Sequence, residues 1–177
     1  MPRPNSHRAA SAETAEAIAD QHDVSQWTYT PSRYESGWLV DSLRPFFDQS
    51  LIEDVLALVK GGKEASVYRC EADHRTGSTL LAAKVYRPRM FRNLRNDKVY
   101  REGRELLNET GKIIDASDQR VQRALGKKTD FGAQVAHTSW LMYEFTTLRQ
   151  LHTLGASVPQ PFAAGENAIL MTYVGDE

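Results

Sequence analysis

The stretch that decides the fold reads Lys60-Gly61-Gly62-Lys63-Glu64-Ala65-Ser66-Val67-Tyr68, and Leu81-Ala82-Ala83-Lys84-Val85-Tyr86 follows it. A glycine-bearing turn between two apolar, β-prone runs can bring backbone N–H groups close to a phosphate. A lysine at the end of the next strand can reach the same phosphate as a point charge. The pattern therefore predicts a phosphate-binding turn followed by a strand that carries a cation.

Composition sets the broad class of the protein. The 177 residues are 41% hydrophobic and 25% charged, values typical of a soluble globular protein. A formal net charge of -1 argues against a general binder of polyanions. The sole cysteine, Cys70, excludes an intrachain disulfide and indicates a reducing cytoplasm. No apolar run reaches the roughly 18 residues needed to span a membrane, and the N-terminus lacks the apolar region of a secretory signal.

Three regions differ in composition. Residues 1–26 are rich in alanine, serine, proline and charge, which predicts a disordered or weakly helical tail. Residues 27–50 are crowded with aromatic and aliphatic side chains and predict a helical extension, with a helix over 35–47 that Pro45 interrupts or ends. Residues 51–177 form a predicted lobe that contains the glycine turn.

The lobe has the pattern of an α+β fold. Apolar runs separated by turn residues predict an antiparallel meander and a final hairpin, with strands at 51–59, 65–72, 79–86, 161–164 and 168–174. The polar interval between them predicts two helices and a mobile loop, at about 93–108, 115–125 and 126–132. A further helix is predicted over 140–154, with Thr138 or Ser139 as its N-cap and Gly155 at its end.

The protein-kinase phosphate loop, G-x-G-x-x-G-x-V, is a template for the turn. Aligned on Val67, the middle glycine position falls on Gly62. Lys60 and Ala65 occupy the other two glycine positions. Taken alone, Gly61 and Gly62 are explained by an ordinary hairpin turn.

Lys84 needs a partner if it is buried, because an unpaired ammonium in an apolar strand is costly. The helix predicted at 140–154 has an apolar stripe at helical spacing, formed by Leu141, Phe145, Leu148, Leu151 and His152. Glu144 is the acid that falls within this stripe, so the sequence predicts a Lys84–Glu144 ion pair. Side chains that reach solvent at both positions are the alternative.

The last predicted strand, 168–174, is apolar and runs into Gly175. Such a segment could offer main-chain groups to an adenine ring. By itself, however, it is explained by an ordinary core strand.

Five segments carry a closer resemblance, and they are Gly62-Lys63-Glu64-Ala65-Ser66-Val67-Tyr68, Ala83-Lys84-Val85-Tyr86, Trp140-x-x-x-Glu144-Phe145-x-x-Leu148, Val158-Pro159-x-Pro161 and Leu170-Met171-x-x-Val174-Gly175. Together they resemble the RIO family of atypical serine/threonine protein kinases, in order over about 51–175. The Gly-Lys-Glu-Ala-x-Val-Tyr loop is the most specific of them. The resemblance implies an N-terminal kinase lobe: a twisted antiparallel sheet, a helix that carries Glu144, and a hinge.

The resemblance also implies roles for single residues. Lys84 would anchor the ATP phosphates, with Glu144 as its partner. The phosphate loop would consist of Gly61, Gly62, Lys63, Glu64, Ala65, Ser66 and Val67. Met171 would be the gatekeeper, and the Thr172 carbonyl and Val174 N–H would hold adenine. ATP would be the cofactor, with Mg²⁺ in the complete protein and no metal ligand in this chain. Family members work in the cytoplasm, many of them in small ribosomal-subunit maturation.

The chain departs from the family pattern in two ways. The interval of 60 residues from Lys84 to Glu144 is long. The catalytic aspartate and asparagine and the metal-binding aspartate of the second lobe would follow the hinge, beyond Glu177. Since phosphoryl transfer depends on positioning and metal electrostatics, we expect a fragment that is inactive alone.

Residues 84–104 contain eight lysine and arginine residues against two acids, with Phe91 and Tyr100 between them. This segment could contact RNA phosphates, as in ribosomal precursors, or form a solvated helix face. Two other functions stay open. One is a small-molecule phosphotransferase with a kinase-like lobe, and the other is a non-catalytic module that binds RNA or protein.

Overall fold

The structure, a computed structural model, describes residues 26–87 and 103–176. The predicted tail at 1–25, most of the predicted helix at 93–108 and most of the basic segment lie outside the described residues. No helix within the described ranges is long and apolar enough to cross a membrane.

The described chain folds into one antiparallel sheet with helices on both sides. Its elements are α1 (Arg33–Asp48), β1 (Ile52–Gly61), β2 (Ala65–Ala72), β3 (Leu80–Tyr86), α2 (Gln119–Gly126), α3 (Asp130–Thr153), β4 (Pro161–Ala164) and β5 (Ala168–Thr172). The strand order is β1-β2-β3-β5-β4, and every neighbouring pair is antiparallel. The α+β class, the meander and the final hairpin are therefore confirmed.

The two faces of the sheet differ in their residues, because successive side chains of a strand point to opposite sides. The α1 face consists of Ser66, Tyr68, Ala83, Val85, Ala168 and Leu170, which are all buried. The Lys84 face consists of Val67, Ala82, Lys84, Ile169 and Met171. Helix α1 packs on the first face through Leu39, Leu43 and Phe46, and α3 packs on the second through Leu141 and Met142.

Helix α1 is longer than the sequence predicts. Its start is fixed by Glu35, whose carboxylate accepts a hydrogen bond from the Ser32 N–H at 3.3 Å, the backbone half of a capping box. The helix continues through Pro45 to Asp48, so proline does not end it. The cost of Pro45 is one missing N–H bond on a helix that is otherwise held by its buried apolar side.

Helix α3 starts ten residues before the predicted position, at Asp130 rather than 140. Its N-cap is Thr129, whose hydroxyl accepts a hydrogen bond from the Gly132 N–H at 3.2 Å, and not Thr138 or Ser139. The predicted loop at 126–132 is therefore shorter in the structure, where residues 127–129 connect α2 to α3. Gly132 is instead a close-packing position, because a Cβ there would lie 2.3 Å from the Ala124 carbonyl oxygen of α2. The predicted end is confirmed, since Gly155 follows the helix with φ of +79°.

The interval before α3 also differs from the prediction. Residues 103–108 form a turn and an isolated bridge from Leu107 to Ile113 rather than helix. Helix α2 covers Gln119–Gly126 because the Asp118 carboxylate caps it, accepting from the N–H groups of Arg120 and Val121 at 2.9 and 3.2 Å.

Candidate functional site

Lys84 lies at the centre of the sheet, between Val67 of β2 and Ile169 of β5. Its ammonium forms an ion pair with the Glu144 carboxylate of α3. The predicted pairing is therefore confirmed. Both side chains keep about a third of their surface exposed, 30% for Lys84 and 33% for Glu144, so a ligand can reach the pair from solvent. The ammonium also lies 5.4 Å from the centroid of the Tyr86 ring.

Glu144 reaches Lys84 because the residues one turn before it hold α3 on the sheet. Leu141 and Met142 are buried against Tyr86 and Ile169. The predicted apolar stripe is correct over this part of the helix. It is wrong at the C-terminal end, where Leu151 is 41% exposed and His152 is exposed. Glu144 thus lies where the buried part of α3 meets solvent.

The β1–β2 turn is tight and bonded to itself. The Gly62 N–H donates to the Ala65 carbonyl at 2.9 Å. A Cβ on Gly62 would lie 2.7 Å from that same oxygen, so glycine is required there. Lys63 and Glu64 are exposed at the tip, and the Arg87 N–H donates to the Glu64 carbonyl at 2.9 Å. The turn is consequently tied to the end of β3, the strand that carries Lys84.

Not all of the predicted loop residues face the same way. Ser66 is 2% exposed and lies on the α1 face, beside Val85 and Tyr68. Its hydroxyl is therefore on the opposite side of the sheet from Lys84, and only its backbone is available near the turn. Val67 is half-buried on the Lys84 face, directly opposite Lys84 in the register.

An apolar surface adjoins the ion pair on the same face. Ala82 precedes Lys84 by two residues on β3, and Met171 of β5 pairs with Ala82 in the register. Thr172 ends β5, where its hydroxyl accepts from the Gln160 N–H at 2.9 Å and its own N–H donates to the Gln160 carbonyl at 2.9 Å. Val174 lies beyond the strand and is 75% exposed. A charged centre and an apolar strip thus lie side by side.

Asn167, in the turn between β4 and β5, joins the elements around the site. Its Nδ2 donates to the Tyr86 carbonyl at 2.5 Å and to the Ser42 hydroxyl at 3.1 Å. A 2.9 Å hydrogen bond joins its Oδ1 to His137 Nε2, and its carbonyl accepts from the Tyr86 N–H at 2.9 Å. One side chain therefore links α1, β3 and α3. No local signal marks this role, since its partners come from three distant segments.

Glu35 makes a second network, on the α1 face. Its carboxylate accepts hydrogen bonds from the Tyr68 hydroxyl and, at 3.0 Å, from the Tyr29 hydroxyl. Burial, reinforced by the Glu35 hydrogen bond and charge, raises the pKa of Tyr29 to about 12. The same causes, with burial again first, raise the pKa of Tyr68 far above its usual value. The network fixes the N-terminus of α1 to the strand behind the glycine turn.

A family comparison agrees with this geometry. The family model of the RIO domain matches residues 66–177, which are more than half of the chain. This chain belongs to the RIO family of protein kinases. The matched region contains both members of the Lys84–Glu144 pair and the β4–β5 hairpin. It begins in β2, so the glycine turn precedes it.

Two known proteins are similar to this RIO chain. The serine/threonine-protein kinase RIO1 of Chaetomium thermophilum is 25% identical over 130 residues, which cover 73% of this chain and 22% of the relative. The chain therefore spans about a fifth of the length of that relative. A crystal structure of the Rio2 kinase from Chaetomium thermophilum, in an ADP/Mg²⁺-phosphoaspartate complex, superposes with a TM-score of 0.47 at 15% identity. That superposition covers 98% of this chain and 44% of the other.

Proposed function

We propose that this chain is the ATP-binding lobe of a RIO-type serine/threonine protein kinase. The observation that carries the proposal is the Lys84–Glu144 ion pair, which is about one-third exposed and lies beside an apolar strip of the sheet. Because the chain belongs to the RIO family of protein kinases, we interpret Lys84 as a phosphate-binding lysine and Glu144 as its partner.

The ion pair orients the Lys84 ammonium. A lysine side chain is flexible, and an unpaired one would sample many positions. Glu144 holds the ammonium over the Lys84 face while leaving part of it exposed to solvent. A phosphate that approaches from solvent can then bind the remaining N–H donors. Kinase chemistry is mostly such positioning and charge stabilisation.

The site fits ATP in two respects. The Gly62 position has room only for glycine, because a Cβ there would meet the Ala65 carbonyl, and the turn therefore stays tight with Lys63 and Glu64 exposed at its tip. Val67, Ala82 and Met171 supply apolar contacts of the kind that an adenine ring requires. We assign the phosphates to Lys84 and to the backbone of residues 61–66, and adenine to the apolar strip and the main chain of Thr172 and Val174.

Around the Lys84–Glu144 pair, the described residues do not fit a Mg²⁺ ion by themselves. The Glu144 carboxylate is engaged with Lys84, whereas magnesium requires octahedral coordination by oxygen atoms. We therefore assign no metal ligand among the described residues. A base and metal ligands are also needed for phosphoryl transfer, and the described residues do not supply them at this site. Transfer to a protein, a cytoplasmic location and contact with ribosomal precursor RNA stay predictions from the family resemblance.

Nucleotide binding by the full chain tests the proposal. We expect ATP to raise the thermal unfolding temperature and to bind in calorimetry. Lys84→Met should weaken binding about tenfold or more, because a charge-assisted contact to phosphate is lost. Lys127→Met is the matched control, since Lys127 is exposed at the end of α2, outside the sheet and the glycine turn, and makes no ion pair with a described residue. Equal ATP binding by the two variants would refute the role of Lys84. Indifference of the unmutated chain to ATP would favour the non-catalytic binding module instead.

A further inference from the structure

A second cavity lies behind α3, away from the Lys84–Glu144 pair. Its volume is about 630 Å³, within the range of roughly 300–1,000 Å³ that is typical of small-molecule sites. Helices α2 and α3, the segment around the Leu107–Ile113 bridge and the β4–β5 turn form its walls. Neither Lys84 nor Glu144 is among its lining residues. The cavity is therefore distinct from the proposed ATP site.

The inner surface of the cavity is apolar. Its main apolar contributors are Leu107, Ile114, Val121, Phe131, Val135 and Leu141. Leu107, Val121 and Leu141 are buried in the protein core, so this wall is firmly packed. Phe131 keeps 41% of its surface exposed at the mouth. An apolar ligand would cover surface that now faces water, which is favourable in proportion to the area covered.

Among the described residues that line the cavity, the charged ones are all acidic. They are Glu109, Asp118 and Glu166, each of them exposed. Asp118 caps α2, whereas neither glutamate forms an ion pair with a described residue. One cation contacts the wall from outside the lining set: the Arg120 guanidinium lies 4.7 Å from the centroid of the Phe131 ring. The described residues at the mouth therefore carry a net negative charge.

We propose that this cavity binds a small apolar molecule that carries one positive charge, such as an aryl or alkyl amine. The apolar wall would take the hydrocarbon part. The carboxylates at the mouth would attract the ammonium group and disfavour an anion of the same shape. The volume suits a small molecule, and the excess of carboxylates selects its charge.

Calorimetry of the full chain with two matched probes tests the proposal. Naphthylmethylamine is protonated at neutral pH, and naphthylacetate has a similar shape with the opposite charge. We expect the amine to bind about tenfold more tightly than the anion, with the difference shrinking as salt is added. Equal affinities for the two probes would overturn the proposal. So would absence of amine binding by a chain that still unfolds cooperatively, even if a basic peptide bound in its place.

Charge variants locate the binding. Glu109→Gln with Glu166→Gln should weaken amine binding about three- to tenfold, and Arg120→Gln should strengthen it about twofold. Glu53→Gln with Glu71→Gln removes the same net charge from exposed positions on β1 and β2, outside the cavity, and should change little. If both double variants weaken the amine equally, the effect is one of net charge and the site assignment is wrong.

A steric variant separates this site from the ATP site. Val135→Trp should fill the cavity and abolish amine binding, with thermal unfolding as the check that the chain still folds. Lys84→Met should leave the affinity for the amine unchanged, because Lys84 does not line the cavity. A changed affinity for the amine in Lys84→Met would mean that the amine occupies the proposed ATP site, which overturns the inference whether or not ATP binds.

Discussion

The two faces of the sheet differ in burial and in charge. On the α1 face, Tyr68, Val85 and Leu170 are fully buried under Leu39 and Phe46. On the Lys84 face, α3 covers only part of the surface, and a charged pair lies at the edge of the covered part with about a third of each side chain exposed. The same strands supply both faces, because their side chains alternate. One face can therefore be optimised for packing while the other keeps a reachable charge.

If the α1 face carries most of the stability, truncating its core should have the largest effect. Phe46→Ala should lower the free energy of unfolding by about 3–5 kcal/mol, since Phe46 is fully buried. Leu151→Ala, at an exposed position of α3, should change it by less than about 0.5 kcal/mol. Denaturant unfolding of the two variants measures the contrast. Similar losses would show that burial of Phe46 on the α1 face does not stabilise the fold.

A substitution at Asn167 tests whether the hydrogen bonds that link α1, β3 and α3 affect both stability and the position of Glu144. Asn167→Ala removes hydrogen bonds to α1, β3 and α3 and should cost about 1–3 kcal/mol of unfolding free energy. It should also weaken ATP binding, because α3 positions Glu144. Glu166→Ala, at the exposed neighbouring residue, is the control for the turn itself. A stability loss with unchanged ATP affinity would separate packing of the turn from positioning of α3.

Alkaline pH should weaken the α1 face through Tyr29. Its pKa is raised to about 12 in the folded protein by burial and by Glu35, against about 10 when unfolded. The contribution is complete below pH of about 10 and is lost as pH rises through about 12. Denaturant unfolding across this range should show falling stability, with a smaller fall in Tyr29→Phe. An identical fall in that variant would assign the effect to other groups.

A small effect on stability should come from the Lys84–Glu144 pair. Lys84 and Glu144 are partly exposed, so their pairing should contribute only about 0.2–1 kcal/mol to unfolding. A double-mutant cycle of Lys84→Met and Glu144→Gln measures this coupling. A coupling well above about 1 kcal/mol would mean that the pair serves mainly to stabilise the fold rather than to bind a ligand.

Local patterns were sufficient for much of the fold and for the ion pair. Strands β2 and β4 have the predicted limits, and β3 differs by one residue at its start. Apolar alternation and turn residues depend only on neighbouring residues in the chain, so the sequence predicts them without knowledge of tertiary contacts. Glu144 was found because helical spacing placed an acid among apolar residues. The start of α3 was missed although Thr129 and Asp130 together form an N-cap followed by an acid in the first turn.

The sequence by itself determined the alternation of the strands, the turn at Gly61 and Gly62, and the pairing of Lys84 with Glu144. Tertiary structure alone decided that Ser66 faces α1, that Gly132 admits the backbone of α2, and that Asn167 joins three elements. Those features depend on contacts such as Asn167 to Ser42, which are 125 positions apart in the chain. Short-range periodicity tells which side chains share a face, whereas packing decides what covers that face.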